Sequence, residues 1–289
     1  MRYHRHMQNR YAGDVADLGK FALLKALAGS DLHLGIVWYL NPDEENKNDG
    51  AFADYPQLRD CDAQLYDSLH SLLDKGNRSV ASIEQAGILS PNTRFFSTPF
   101  TFRDLAPGNT TGRLRHRERW LSTAVDAMLG ADLIFLDPDS GFAPDSSFRV
   151  ATGSQKYVFP EEVAQFIGRG QSVVVHHQQA RNENLDAQLQ RCFSMLRARG
   201  ALHYWAVTFH REPVHTFFIV SAPQHVERLE LRSRELMATP WGVQGHFQLR
   251  MPVSDWSKIE GAQAAIQSQK ELRRQRRKAR SGPSQTNTP

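Results

Sequence analysis

The sequence predicts an α/β protein with a doubly wound, mostly parallel sheet that ends in an antiparallel hairpin. Short apolar segments at residues 34–40, 133–136 and 172–178 indicate buried strands, and helical periodicity recurs between them. Strands that alternate with helices favour a parallel sheet covered on both faces. Two further apolar segments, 201–209 and 214–221, are joined by four residues. So short a link forces an antiparallel pair.

Length and composition bound the classes of protein to consider. A chain of 289 residues holds one large α/β domain or two small ones, and 40% apolar with 23% charged residues is ordinary for a soluble protein. No apolar segment reaches the roughly 18 residues of a membrane span, and the polar N-terminus does not resemble a signal peptide. Cys61 and Cys192 are far apart and have no metal-binding spacing, so we expect reduced thiols in a cytoplasmic protein.

The positive charge is concentrated near the C-terminus. The formal net charge is +4, but one short segment alone carries +6, with seven basic residues against Glu271; the basic residues are Lys270, Arg273, Arg274, Arg276, Arg277, Lys278 and Arg280. The rest of the chain is therefore about −2 (4 minus 6). We predict an α/β domain over residues 1–260 and a basic, flexible tail over 261–289. The tail either binds nucleic-acid phosphates or is a solvated helical extension.

The first helix is predicted to begin at Asp14, a suitable N-cap, and to continue to about residue 27 with apolar residues at helical spacing. Asp17 and Lys20 are polar residues within this apolar helix. Gly19 costs roughly 1 kcal/mol in a helix interior, which indicates a close approach to another element. The alternative is a surface helix in which Asp17 and Lys20 pair at i, i+3.

The first strand is followed by an acidic, turn-rich loop at residues 41–50, which contains no G-x-G-x-x-G phosphate-binding pattern. Helices are then predicted around residues 65–73 and 79–86, with a short strand at 93–97. A helix with a basic start, residues 113–129, leads into the second buried strand.

That second strand ends in the most informative motif of the sequence. Its apolar residues are followed by Asp137, Pro138, Asp139, Ser140 and Gly141. Proline cannot donate to a β-ladder and glycine permits positive φ, so the chain turns sharply here. In open α/β sheets, ligands bind beyond the carboxyl ends of parallel strands. The two aspartates are therefore candidate catalytic residues, although aspartates also serve simply as turn caps.

A long irregular connection at residues 142–155 follows, of the kind that often carries function. After a helix that begins near Pro160, the next buried strand finishes in His176 and His177, at the same edge of the sheet as Asp137. Adjacent residues of a strand face opposite sides, so only one of these histidines can point into a given site. An amphipathic helix at residues 183–199 precedes the hairpin.

The predicted order of elements, with its closing hairpin, resembles the class I S-adenosylmethionine-dependent methyltransferase fold. Residues 11–20 (YAGDVADLGK) resemble the N-terminal A-G-N-x-A-D-V-L-K segment of the bacterial 23S ribosomal RNA adenine-N6 methyltransferase family, and residues 132–139 (DLIFLDPD) resemble the strand that carries its D-P-P-Y motif. The sequence departs from the family in two places. Asp139 and Ser140 replace the second proline and the base-stacking tyrosine, and residues 41–45 (NPDEE) replace the glycine-rich cofactor loop.

The resemblance implies S-adenosylmethionine as cofactor and a nucleic acid as substrate. Asp17 and Lys20 would lie by the methionine part of the cofactor, and Asp137 by the target nitrogen. The full set implied for cofactor binding is Asp14, Asp17, Lys20, Asn41 and Asp43, and the candidate catalytic set is Asp137, Asp139, His176 and His177.

Two alternatives remain open from the residues themselves. Asp43, Asp137 and Asp139, helped by Glu44 and a histidine, form a set of hard ligands suited to Mg²⁺ or Mn²⁺, which would support phosphodiester hydrolysis by a metal-activated water. The third interpretation is a non-catalytic member of the fold that binds nucleic acid through its tail. Methylation of a nucleic acid is the leading prediction.

Overall fold

The computed structural model describes residues 12–40, 55–74, 78–144, 148–180, 183–211 and 213–252. Asn41, Asp43, Glu44 and the basic tail lie outside the described residues, so the roles predicted for them stay predictions. The chain divides into one unit, Met1–Met251, and a second, Pro252–Pro289, of which only Pro252 is described. The predicted boundary after residue 260 also stays a prediction.

The strands follow one another as short, mostly apolar segments. In chain order they are β1 (Leu34–Trp38), β2 (Arg94–Phe96), β3 (Leu133–Asp137), β4 (Gly141–Phe142), β5 (Tyr157–Val158), β6 (Ser172–Gln178), β7 (Tyr204–Phe209), β8 (His215–Val220) and β9 (Phe247–Arg250). The helices are α1 (Val15–Ala28), α2 (Ala63–Asp74), α3 (Val80–Gln85), α4 (Thr110–Ala127), α5 (Pro160–Ile167), α6 (Leu185–Ala198), α7 (Val226–Ala238) and α8 (Pro240–Val243).

Seven strands form one sheet in the order β2-β1-β3-β6-β8-β7-β9, and β4 pairs with β5 separately. The pairs β2–β1, β1–β3 and β3–β6 are parallel. Strand β8 is antiparallel to both β6 and β7, and β9 is antiparallel to β7. The predicted α/β fold with a largely parallel sheet is confirmed.

Helices pack on both faces of the sheet because its central strands are apolar on both sides. Helix α1 contributes Leu18 and Phe21 to the hydrophobic core that contains Trp38 of β1. On the other face, Trp120 of α4 contacts Tyr39 directly after β1, with ring centroids 4.8 Å apart. In the described residues, the longest apolar helical stretches fall short of what crossing a bilayer requires.

The close approach predicted for Gly19 is found between α1 and β7. A Cβ atom at residue 19 would lie 2.6 Å from Cδ1 of Phe209, which is closer than real Cβ contacts allow. The glycine therefore lets α1 settle directly onto the sheet, and this brings the polar residues of the helix into the interior.

Candidate functional site

The site lies where the sheet topology reverses direction. From β1 the chain goes to β2 on one side, and from β2 it crosses to β3 on the other side of β1. The carboxyl ends of β1 and β3 therefore flank a topological switch point, where open α/β sheets bind their ligands. The last residues of the two strands, Trp38 and Asp137, are register partners at this point.

Helix α1 supplies a lysine to this switch point. The Nζ of Lys20 donates to Oδ2 of Asp137 at 2.8 Å and to Oδ1 of Asp17 at 2.7 Å. Lys20 is 3% exposed and Asp137 1% exposed. The alternative of a surface pair is wrong, because Asp17 and Lys20 do pair but are buried and share Asp137.

The charges of this group are set by burial and by one another. Burial alone would lower the pKa of Lys20, but the nearby carboxylates of Asp137 and Asp17 outweigh it, and the pKa is raised. Burial would raise the pKa of Asp137, but Lys20 and His176 hold it below the usual value. The group therefore stays an ammonium held between carboxylates.

Residue 14 fixes the start of the helix that carries these side chains. The carboxylate of Asp14 accepts from the backbone N–H of Ala16 at 2.9 Å and of Asp17 at 3.1 Å, as an N-cap does. Asp17 in turn accepts from the N–H of Gly13 at 2.8 Å. Burial, reinforced by the charge of Asp17, raises the pKa of Asp14 to about 7.

The two candidate histidines are separated by the sheet. His176 faces the same side as Asp137, with Nδ1 3.1 Å from Oδ1 of the carboxylate. Its Nε2 lies 2.9 Å from Nδ1 of His215, the first residue of β8. We call Asp17, Lys20, Asp137, His176 and His215 the switch-point cluster.

His177 instead supports the turn that follows β3. Its Nδ1 accepts from the backbone N–H of Phe142 at 2.9 Å, so the ring is neutral and carries its proton on Nε2. Burial, with the charge of Arg191 and then His176, lowers the pKa of His177 to about 3. Gly141 has φ +89°, and a Cβ there would lie 2.1 Å from Nδ1 of His177, so only glycine fits.

Asp139 is not brought into the cluster. Its Oδ2 lies 3.9 Å from Nζ of Lys156, so both aspartates of the motif face a lysine. A lysine ammonium opposite each carboxylate is the opposite of what a divalent cation needs. The described part of the chain also contains no group of three or more His, Cys, Asp or Glu residues able to hold a metal ion.

Two residues of the site were missed by sequence reasoning. Nε1 of Trp38 donates to Oε1 of Glu84 in α3 at 3.0 Å. Burial raises the pKa of Glu84, although hydrogen bonds from Trp38 and Ser97 oppose this shift. Ser97 follows β2 directly, so this carboxylate lies between the ends of β1 and β2. His215 was missed as well, although it begins a predicted strand.

Comparisons with known proteins give little beyond the fold. No family model and no curated protein matches this chain. A structural comparison finds the crystal structure of protein LPL1258 from Legionella pneumophila str. Philadelphia 1, of family DUF519, with 14% sequence identity and a TM-score of 0.39, over 84% of this chain and 99% of that one. At this level the likeness indicates neither a shared family nor a shared function.

Proposed function

We propose that this protein is an S-adenosylmethionine-dependent methyltransferase that modifies an amino group of a nucleic acid. The observation that carries the proposal is the bridge made by Lys20 across the switch point, between Asp17 and Asp137. It joins the two motifs on which the sequence resemblance rests. The strand order supports it too, because an antiparallel strand inserted before the last parallel one is the arrangement of class I methyltransferases.

The residues present fit the amino-acid end of this cofactor. S-adenosylmethionine, when bound, supplies a methyl group on a positively charged sulfur, and its methionine end carries one ammonium and one carboxylate. The ammonium of Lys20 and the carboxylate of Asp17 are the complementary pair, buried and in contact. A charged ligand group that enters here replaces a partner of the same sign instead of being left unpaired.

The other end of the cofactor has an acceptor in Glu84. Dinucleotide-binding α/β folds hold the ribose hydroxyls with an acidic residue near the end of the second strand. No acidic residue directly follows β2, but Glu84 reaches the same place from α3. An ionised carboxylate has about four acceptor positions, so the bonds from Trp38 and Ser97 leave room for a diol.

Asp137 is the residue that we assign to the acceptor. Lys20 keeps its carboxylate ionised, so the carboxylate can accept a hydrogen bond from an amino group and direct the nitrogen lone pair toward the methyl donor. As the new N–C bond forms, the N–H bond breaks and its proton passes to the carboxylate. His176, 3.1 Å away, is the nearest group that can take this proton onward.

The test combines binding with methyl transfer. We expect calorimetry to show binding of S-adenosylmethionine to the full chain, and labelled methyl groups to appear in total RNA or DNA. Asp137→Asn should reduce transfer by about 10²- to 10⁴-fold with the cofactor still bound, since it removes the proton acceptor. The matched control is Asp132→Asn, whose exposed carboxylate pairs with His33 at the opposite end of the same strand.

The two other interpretations predict different results. A non-catalytic nucleic-acid-binding protein would bind RNA or DNA but give no heat with the cofactor. A metal-dependent phosphodiesterase would bind Mn²⁺ in a manner that depends on Asp43. Either result would contradict the proposed function.

A further inference from the structure

The structure contains a small cavity on the other side of the motif that ends β3. Its volume is about 180 Å³, and its lining includes Ser140, Tyr157, His177 and Gln178. Common small-molecule pockets measure about 300–1,000 Å³, so this one holds a single ring system and not a whole nucleotide. We call it the Tyr157 pocket.

The position of Tyr157 follows from the pairing of two very short strands. Tyr157 of β5 is the register partner of Gly141 of β4, immediately after Ser140. The backbone on both sides is held, because the N–H of Ser140 donates to the carbonyl of Lys156 at 3.0 Å and Nη2 of Arg117 donates to the carbonyl of Tyr157 at 2.7 Å. A tyrosine thus stands beside the position where the motif itself has serine.

The polar groups of the pocket suit an uncharged ligand. His177 is neutral, with a donor at Nε2, as its bond from Phe142 requires. The Gln178 amide offers a donor and an acceptor, and it makes no hydrogen bond within the described residues. The charge of Arg191 is balanced by Glu183, with contacts of 3.1 Å at both guanidinium nitrogens.

We propose that the Tyr157 pocket receives one unstacked base of a single-stranded nucleic acid, with the tyrosine ring stacked on it and Gln178 bonded to its edge. Enzymes that modify bases read an extruded base by these two kinds of contact, stacking and hydrogen bonds to its edge. The inference rests on the proposed function and names the part of the substrate that the site takes. Tyr157 supplies the aromatic ring that the Asp137–Gly141 turn lacks.

The experiment measures affinity, not turnover. Short single-stranded RNA and DNA oligonucleotides carry a fluorescent label and one central position that is A, C, G, U (T in the DNA) or abasic, and fluorescence anisotropy gives Kd for the full chain. Stacking is worth about 1–3 kcal/mol per base, so Tyr157→Leu should weaken binding of base-containing strands about 5- to 150-fold. It should leave the abasic strand unchanged, and Tyr157→Phe should bind like the unsubstituted protein.

Controls separate the pocket from general stickiness and from misfolding. Phe148 is 76% exposed in the same connection but does not line the pocket, so Phe148→Leu should leave affinity unchanged. Should Tyr157→Leu fail to fold, Gln178→Leu provides the second variant, expected to reduce the discrimination among the bases.

Three results would overturn the pocket: an equal loss for abasic and base-containing strands, no effect of Tyr157→Leu on any of them, or no binding of any strand. The proposed function can fail independently. Base-dependent loss in a protein that transfers no methyl group would keep the pocket and reject the methyltransferase. Methyl transfer that survives Tyr157→Leu, with unchanged affinity, would do the reverse.

Discussion

Replacing Lys20 by methionine tests the switch-point cluster most directly. The variant keeps a helix former of similar length but leaves Asp17 and Asp137 buried beside one another without their cation. Removing one partner of a buried ion pair costs about 3–5 kcal/mol, because an uncompensated charge remains in the interior. A domain of ordinary stability, about 5–15 kcal/mol, survives this loss weakened but folded.

The pH dependence of this loss has a definite sign. In the unsubstituted protein the folded-state pKa of Asp137 is lowered, so its stabilising effect is present above the unfolded pKa and is lost only in strong acid. Without Lys20, burial raises the pKa of Asp137 above its unfolded value. The folded variant then takes up a proton first, and its deficit in unfolding free energy shrinks as the pH falls from 8 toward 5.

Urea denaturation at pH 8 and pH 5 measures both effects. Lys25→Met is the matched control in the same helix, because Lys25 pairs with Asp62 at 3.0 Å but is 35% exposed, and such pairs contribute about 1 kcal/mol or less. Two results would refute the reasoning. One is a cost for Lys20→Met no larger than for the control, and the other is a deficit that does not change with pH.

Three further perturbations test other parts of the molecule. Glu84→Gln should raise the calorimetric Kd for S-adenosylmethionine about tenfold, since bonds to charged acceptors are worth roughly 1.5–3 kcal/mol, whereas Glu118→Gln on the exposed side of α4 should not change it. His177→Asn keeps an acceptor for the N–H of Phe142 but removes a group whose folded-state pKa, about 3, lies below its ordinary 6.5. The native protein should therefore lose about 2 kcal/mol relative to this variant in urea denaturation between pH 6.5 and 5, and parallel stability curves would contradict this. Truncation after Gly261 should leave cofactor binding intact and flatten the salt dependence of nucleic-acid affinity by about 0.9 per lost phosphate contact on duplex DNA, or 0.7 on single strands; an unchanged slope would show that the tail makes no such contacts.

The sequence predicted the long elements well because they carry strong periodicity. The buried strands that end at Asp137 and His177 and the helix that begins after Asp14 follow directly from apolar spacing, and parallel strands bring their carboxyl ends to one edge. It could not predict the pair of β4 and β5, because two-residue strands have no measurable period. No element was assigned after residue 221, where the last strand, β9, is only four residues long.

The chemistry of the site was predicted only in part, for a different reason. The sequence gave Lys20 and Asp137 as separate candidates, but their contact, 117 residues apart in the chain, depends on how α1 docks onto the sheet. Which of the two histidines faces Asp137 depends on the phase of β6, which periodicity within an all-apolar strand does not determine. Glu84 is reached through α3, a helix of six residues with no distinguishing pattern.

The switch-point cluster also bears on how the protein opens. Its side chains come from α1, β3, β6 and β8, so no fragment shorter than residues 17–215 contains it. Amides in the central strands of a sheet exchange with solvent mainly through global unfolding, whereas terminal segments open locally. A ligand that binds at this cluster is therefore expected to slow hydrogen exchange across β1, β3 and β6 together, and not in a single loop.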